Sequence, residues 1–173
     1  MSGTPTFNQI TTFVFDMDGV LTDGTLLLLP DHTPVRKMHI KDGYALQLAV
    51  KKGYRIMVIS GSVSEPALLR LKKLGIDSVW MNVQDKKNLL QDLMKQNSLQ
   101  PNEVLYMGDD LPDYTAMKFC GLPCSPADAV DEIRSISNYI SPYAGGKGCV
   151  RDVLEKVMRA RGDWEHLETV SSL

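Results

Sequence analysis

Short apolar segments alternate with longer segments of helical periodicity along most of the chain. The apolar segments predict strands at residues 12–15, 54–60, 78–81 and 104–107, and a weaker strand at residues 139–140. Apolar residues at helical spacing predict helices between them, at residues 44–52, 65–74 and 87–96, and a last helix from residue 150. This alternation predicts an α/β fold with a doubly wound parallel sheet.

Residues 25–40 interrupt the alternation. Two extended segments there flank the turn-rich sequence Pro-Asp-His-Thr-Pro at residues 30–34, which predicts a β-hairpin projecting from the loop after the first strand. Four consecutive leucines, residues 26–29, lie on this hairpin and are a predicted subunit contact, because exposed apolar strands favour pairing. The hairpin and the following helix fill the interval before the second strand, so no cap domain is expected.

Composition narrows the class of protein. The chain has 173 residues, 43% of them hydrophobic, and a formal net charge of −2, which predicts one globular domain over residues 1–173 with a C-terminal tail at about 160–173. No overall basic field attracts nucleic acid. The longest apolar run is too short to cross a bilayer and no signal peptide is evident, which predicts a cytoplasmic location without membrane contact. Cys120, Cys124 and Cys149 show no paired spacing and are expected to be buried free thiols.

Acidic side chains follow two of the predicted strands. Asp16 and Asp18 come directly after the first strand, and at i, i+2 spacing they point to the same side of an extended chain. Asp109, Asp110 and Asp113 follow the fourth strand. Because ligands of open parallel sheets bind beyond the carboxyl ends of the strands, these hard oxygen donors predict a Mg²⁺ site.

Phosphate-binding groups are expected at the same edge of the sheet. Ser60 and Gly61 follow the second strand, where a hydroxyl and backbone N–H groups can bind phosphate oxygens. Lys86 follows the third strand and supplies a positive charge. A carboxylate nucleophile, a second carboxylate for proton transfer, a hard cation and a phosphate cradle together favour hydrolysis of a phosphomonoester through an aspartyl-phosphate.

The ordered motifs resemble those of the haloacid dehalogenase superfamily over nearly the whole chain. They are Asp-x-Asp-Gly-Val-x-Thr from Asp16, the strand-end Ser60, Lys86, and Gly-Asp-Asp-x-x-Asp from Gly108. Within the superfamily, the short length, Lys-Asp-Gly-Tyr at residues 41–44 and the Gly-Gly-Lys-Gly tail segment at residues 145–148 resemble the 3-deoxy-D-manno-octulosonate 8-phosphate (KDO 8-phosphate) phosphatases. The resemblance implies a capless Rossmann-like core and a phosphatase of lipopolysaccharide sugar biosynthesis.

The same resemblance implies individual roles at the centre of the site. Asp16 would be the nucleophile, Asp18 the general acid and then base, and Ser60 and Lys86 phosphate ligands. Magnesium would be held by a metal-binding set that comprises Asp16, the backbone carbonyl of Asp18, Asp109, Asp110 and Asp113. Asp110 and Asp113 would act directly or through water.

Around that centre, the resemblance implies a phosphorylated sugar acid as substrate and a homotetramer as the assembly. The residues expected near the sugar acid are His39, Lys41, Asp42, Gly43 and Arg70. Without a cap, the site would be closed by neighbouring subunits, and the glycine-rich segment 145–148, with Lys147 or Arg151, is expected to reach an adjacent site.

Two positions depart from the octulosonate pattern. Ser62 and Gln47 stand where that family usually carries arginine. Neither residue can replace the bidentate contact of arginine with a carboxylate, so a nine-carbon keto sugar acid 9-phosphate is an alternative substrate.

Two other classes of protein share parts of the pattern. A response-regulator receiver also combines acids, a hydroxyl, a lysine and magnesium, but its phosphorylated Asp follows the third strand. A phosphatase-like module without catalysis would have no chemical need for Asp16, Asp18, Lys86 and the acidic fourth motif, all of which are present.

Overall fold

The computed structural model describes residues 6–170 and contains two sheets and six α-helices in that range. The strands are β1 Thr12–Phe15, β2 Leu27–Leu28, β3 Pro34–Val35, β4 Arg55–Ile59, β5 Val79–Trp80, β6 Val104–Met107, β7 Leu122–Ser125 and β8 Tyr139–Ile140. The helices are α1 Ile40–Lys51, α2 Glu65–Lys73, α3 Lys86–Gln96, α4 Tyr114–Met117, α5 Asp131–Ile136 and α6 Cys149–Ala160.

Six strands form one parallel sheet in the order β5-β4-β1-β6-β7-β8. The order runs outward in both directions from β1, so the connections reverse at β1 and open a crevice at its carboxyl end. The predicted doubly wound α/β fold is confirmed. The carboxyl ends of β1, β4 and β6 meet at this crevice, which positions the residues that follow them.

The sheet separates two apolar clusters. Phe13 and Phe15 face the cluster that contains α1, α2 and α6, whereas Val14 faces the cluster that contains α3, α4 and α5. This alternation follows from the two-residue period of a strand. All four residues of β1 are buried, as expected for a central strand covered on both faces.

The predicted hairpin is present between β1 and α1. β2 and β3 pair antiparallel, with Leu27 opposite Val35 and Leu28 opposite Pro34. An isolated bridge between Thr22 and Met38 continues the pairing towards the sheet. No cap domain lies between β1 and β4, as expected from the length of this interval.

Some elements differ from the predicted ones. The first helix begins at Ile40, four residues before the predicted start, and β7 was not predicted at all. Pro123 in β7 removes a backbone donor and hides the strand pattern. Helices α4 and α5 were also missed, because four- and six-residue helices are too short for a clear period.

The remaining expectations concern the chain ends and the thiols. The part of the tail at residues 161–170 packs back on the core through Trp164, Leu167 and Val170, and the part at 171–173 lies outside the described residues. The single-domain prediction for residues 1–173 stays a prediction. All three cysteines are buried and free, as expected. No helix within residues 6–170 is long and apolar enough to span a bilayer.

Candidate active site

The loop after β1 brings the first acidic motif to the crevice. The backbone N–H of Asp16 donates to the carbonyl of Met107 in the neighbouring β6, which extends the sheet by one residue. The chain then turns at Gly19, which has a φ of 88°. A Cβ on Gly19 would collide with the carboxylate of Asp109, so only glycine permits this close approach of the two acidic motifs.

Lys86 links the first and fourth motifs. Its Nζ lies 2.8 Å from Oδ1 of Asp16 and 2.8 Å from Oδ1 of Asp113. The hydroxyl of Tyr106 donates a further hydrogen bond of 2.8 Å to Asp113 Oδ1. The Lys86 pKa is raised: its burial lowers the pKa, but the charges of Asp113 and Asp16 outweigh that effect. The pKa of Asp16 is raised well above 3.8, because burial and then the charge of Asp113 outweigh Lys86.

An acidic group at the same place fits a hard cation. Asp16, Asp109 and Asp113 each offer a carboxylate oxygen, and these oxygens lie within 4.8 Å of one another. Oδ1 of Asp109 is buried and has no hydrogen-bond partner within the described range, so it is available as a ligand. Burial, then the charges of Asp113 and Asp110, raise the pKa of Asp109 to about 7. A bound cation would satisfy this oxygen and offset the repulsion, which fits Mg²⁺.

The members of the predicted metal-binding set differ in orientation. Asp110 lines the cavity, but Oδ1 of its side chain accepts from the backbone N–H of Leu111 and caps a short helical turn. Asp113, rather than Asp110, completes the acidic group. The oxygens of Asp113 already accept from Lys86, Tyr106 and the N–H of Asp109, so direct ligation falls mainly to Asp16 and Asp109.

Asp18 belongs to a separate network that includes a residue the sequence did not indicate. Arg36 binds both oxygens of Asp18: Nε lies 2.6 Å from Oδ1 and Nη2 lies 3.1 Å from Oδ2. Ser62 donates a 2.7 Å hydrogen bond to the same Oδ2 and accepts one from Arg36. Burial raises the pKa of Asp18, but the hydrogen bonds and charge of Arg36, together with Ser62, outweigh it and lower the pKa.

A cavity of about 310 Å³ opens between these networks. Ser60, at the end of β4, is buried at its rim, and its Oγ accepts from the backbone N–H of Ser62. The predicted catalytic, phosphate-binding and metal-binding residues that line this cavity are Asp16, Asp18, Ser60, Gly61, Lys86, Asp109 and Asp110. The structure therefore brings together residues from the ends of four strands, as the parallel-sheet argument predicts.

Comparisons with known proteins agree with this geometry. A family model described as haloacid dehalogenase-like hydrolase matches residues 81–153. A 3-deoxy-D-manno-octulosonate 8-phosphate phosphatase from Haemophilus influenzae is 30% identical over 149 residues, covering 86% of this chain and 83% of the relative. The chain belongs to this phosphatase family. The Escherichia coli K12 member is 29% identical over 154 residues, covering 89% of this chain and 82% of that protein.

Solved structures extend the likeness to the fold. The Moraxella catarrhalis KDO 8-phosphate phosphatase, solved with magnesium, phosphate and KDO, superposes with a TM-score of 0.88 at 31% identity, and the match covers 91% of each chain. A Vibrio cholerae structure described as a putative KDO 8-phosphate phosphatase superposes with the same TM-score at 28% identity, covering 93% of this chain and 90% of that one. The chain is therefore a phosphatase of the capless Rossmann-like type.

The predicted sugar-acid residues of this phosphatase lie away from the Asp16 cavity of their own chain. They occupy the start of α1, a helix that packs against α6, and the middle of α2. His39 and Lys41 line a second cavity of about 550 Å³. Asp42 is buried and accepts from the backbone N–H of Arg151. Gly43 faces the Arg70 guanidinium, and Arg70 lines a third cavity.

The glycine-rich segment also contacts its own chain. The N–H of Gly146 donates to the carbonyl of Val20, and a Cβ on Gly145 would collide with the carbonyl of Gly19. These glycines therefore permit close packing against the loop after β1 of their own chain, and the expectation that the segment reaches an adjacent site stays a prediction. Lys147 and Arg151 line the second cavity with His39 and Lys41.

Proposed function

We propose that this phosphatase uses Asp16 to release phosphate from KDO 8-phosphate with Mg²⁺ as cofactor. The observation that carries the proposal is Asp16 itself, held at the end of β1 with one oxygen 2.8 Å from Lys86 and beside Asp109. The likeness to the Moraxella catarrhalis enzyme, solved with magnesium, phosphate and KDO, supports the choice of substrate.

The chain's own residues account for both halves of the reaction. The Asp16 carboxylate attacks phosphorus, the bond from phosphorus to the sugar oxygen breaks, and Asp18 gives its proton to that oxygen. Asp18 then takes a proton from water, the water oxygen attacks phosphorus, and the acyl-phosphate bond breaks to free phosphate and regenerate Asp16. Both residues end as they began.

Charge on the transferring group is balanced by fixed groups. Lys86 has three N–H donors, of which two are directed to carboxylates, so one remains for a phosphate oxygen. Ser60 and the backbone at Gly61 provide neutral donors at the rim of the cavity. Mg²⁺ held by Asp16 and Asp109 would supply a hard positive charge that offsets the phosphate and carboxylate charges.

The direct test is Mg²⁺-dependent phosphate release by wild type and by Asp16→Asn. We expect turnover with Mg²⁺, no turnover with chelator, and a loss of at least about 1,000-fold for Asp16→Asn, because an amide is a poor nucleophile. Asp92→Asn, which changes an exposed carboxylate on α3, is the matched control and should keep wild-type activity. Undiminished turnover by Asp16→Asn would rule out the covalent mechanism.

The substrate is tested with a panel of sugar phosphates. We expect kcat/KM to be highest for KDO 8-phosphate and lower for neutral hexose phosphates. Ser62 gives a specific reason to include nine-carbon keto sugar acid 9-phosphates, because it replaces an arginine usual in the octulosonate enzymes. A higher kcat/KM for the nine-carbon acid would make that compound, rather than KDO 8-phosphate, the preferred sugar-acid substrate. A preference for neutral sugars would refute the sugar-acid assignment.

We also propose that the chain acts as a cytoplasmic homotetramer whose hairpins pack together. Leu26, Leu27, Leu28 and Leu29 are 49%, 63%, 70% and 38% exposed, a contiguous apolar surface of the kind that marks an interface. Sedimentation velocity should give a tetramer for wild type and smaller species for Leu27→Asp. The control Val130→Asp adds the same charge at another exposed apolar residue and should stay tetrameric. A monomeric, fully active wild type would contradict the assembly.

A further inference from the structure

The loop between β5 and α3 forms a wall of the Asp16 cavity to which no role has been given. Val83 and Gln84, on this loop, line the cavity together with the phosphate-binding residues Ser60 and Lys86. Gln84 comes two residues before Lys86, whose Nζ lies 2.8 Å from an oxygen of Asp16. The atoms of a substrate that follow its phosphate therefore pass this loop.

Backbone hydrogen bonds join this loop to the loop that follows β4. The N–H of Asn82 donates to the carbonyl of Ser62 at 3.2 Å, and the N–H of Val83 donates to the carbonyl of Ser60 at 3.0 Å. Asn82 has a φ of 57°, in the left-handed region that asparagine adopts more readily than most residues. The backbone that carries Gln84 is thus held at a fixed position relative to the phosphate-binding loop.

The side chain of Gln84 keeps most of its hydrogen-bonding capacity for a ligand. Its Nε2 makes one long contact of 3.5 Å to Oδ1 of Asn82, which is weak at that length, and its Oε1 accepts no hydrogen bond from residues 6–170. Other polar side chains of the cavity wall are already engaged, since Ser62 donates to Asp18 and Asp110 caps a short helical turn. An amide that offers two donors and an acceptor at a cavity wall is suited to hydroxyl groups.

A neutral contact fits the part of the substrate next to the phosphate. Lys86 is the one cation among residues 6–170 that lines the cavity, and it is already paired with two carboxylates. In KDO 8-phosphate, and in the nine-carbon 9-phosphates, the carbon next to the phosphorylated one carries a hydroxyl group. We propose that Gln84 is a specificity-determining residue that hydrogen-bonds to this hydroxyl. The proposal rests on the proposed function, which supplies the phosphorylated sugar acid.

The test compares kcat/KM for KDO 8-phosphate and for its 7-deoxy analogue, which lacks this hydroxyl. The ratio of the two constants should be about three- to tenfold larger in wild type than in Gln84→Ala, the range of one hydrogen bond between neutral groups. Any effect of the missing hydroxyl on the reactivity of the ester is common to both proteins, so it cancels in this comparison. Gln96→Ala makes the same change at an exposed glutamine of α3 and should keep the wild-type ratio.

The outcomes separate this inference from the function on which it rests. A general disturbance of the loop would lower both constants by the same factor, and that result, or no loss on either substrate, would refute the role of Gln84. If wild type does not hydrolyse KDO 8-phosphate, the proposed substrate is wrong, and the same ratio is measured with 1,2-propanediol 1-phosphate and 1-propyl phosphate, which differ by the same hydroxyl. Should Gln84→Ala fail to fold in circular dichroism, Gln84→Met, which keeps the length of the side chain without its amide, takes its place.

Discussion

Replacement of Lys86 by methionine tests whether the buried charges form the network described above. Nζ of Lys86 lies 2.8 Å from an oxygen of Asp16 and 2.8 Å from one of Asp113, and its side chain is 4% exposed. Methionine has a similar volume, so the main loss is the positive charge between two buried carboxylates. Removing one partner of a buried ion pair typically costs about 3–5 kcal/mol.

Protonation sets an upper limit to this loss. Protonating a carboxyl group at a pH above its ordinary pKa of 3.8 costs roughly 1.4 kcal/mol for each pH unit of difference. At pH 7 this cost is about 4 kcal/mol in all. We therefore expect Lys86→Met to lower the free energy of unfolding by about 3–4 kcal/mol at pH 7 in the absence of Mg²⁺. For a chain of 173 residues this corresponds to a fall in Tm of roughly 10 °C.

The same reasoning fixes the sign of the pH dependence. In the variant, the folded state raises the pKa of the unpaired carboxyls, so it binds more protons than the unfolded state. The destabilisation is then largest at high pH and shrinks as pH falls towards 3.8, to a limit of about 2 kcal/mol at pH 5.

Urea denaturation with chelator present, at pH 7 and pH 5, measures these values. Lys95→Met, an exposed change on the same helix α3, is the control and should stay within about 0.5 kcal/mol of wild type. Adding Asp113→Asn to Lys86→Met should restore part of the loss, because one unpaired carboxylate is removed. A loss under about 1 kcal/mol at pH 7, or one that does not change with pH, would refute the network.

Three further predictions concern the neighbouring groups. In calorimetric titration, the affinity for Mg²⁺ should be about tenfold lower at pH 6 than at pH 8. The pKa of Asp109 is raised to about 7, so this carboxyl must lose a proton before it binds the ion. An affinity that is the same at both pH values would contradict this prediction. Gly19→Ala should abolish Mg²⁺ binding, whereas Gly24→Ala, also at positive φ but with its nearest atom at 3.4 Å, should lose only about 1–2 kcal/mol of stability. Tyr106→Phe should lower the free energy of unfolding in urea by about 1–3 kcal/mol through its lost bond to Asp113, and no change would argue against that bond.

The centre of the site could be predicted from sequence because one rule covers it. Asp16, Ser60, Lys86 and Asp109 each come just after a strand of a parallel sheet, so strand order alone brings them to one edge. The side chain that completes the metal-binding group was harder to choose. Asp113 rather than Asp110 joins Asp16 and Asp109 in the acidic group, and Asp110 caps the backbone at Leu111.

Arg36 was missed because it lies in a polar, turn-rich stretch where a cation usually faces water. Its burial depends on a contact with Asp18, eighteen residues earlier, which no local pattern reveals. A weak signal was present in the two-residue period of the second hairpin strand. Val35 and Lys37, which are two residues apart, border one cavity that Arg36 does not border.

The residues expected around the sugar acid failed to reach the cavity for a related reason. His39 is the residue before α1, and the first turn of α1 contains Lys41 and Asp42. That end of the helix packs against the start of α6. Helix packing is set by the apolar faces of α1 and α6, which the motif Lys-Asp-Gly-Tyr does not report. Within one chain, His39 and Lys41 therefore border the second cavity and not the one that contains Asp16.

The two carboxylates of the first motif are separated by a single residue, Met17, but different parts of the fold contact them. Asp16 depends on Lys86, at the start of α3, and its pKa is raised by burial; Asp18 depends on Arg36 from the hairpin, and its pKa is lowered because hydrogen bonds outweigh burial. The sequence Asp-Met-Asp does not itself distinguish the two carboxyls, so the difference in their pKa values comes from their surroundings, which include Lys86 and Arg36. The hairpin, which replaces a cap domain in the chain, thus contributes a side chain to the reactive centre as well as an apolar surface.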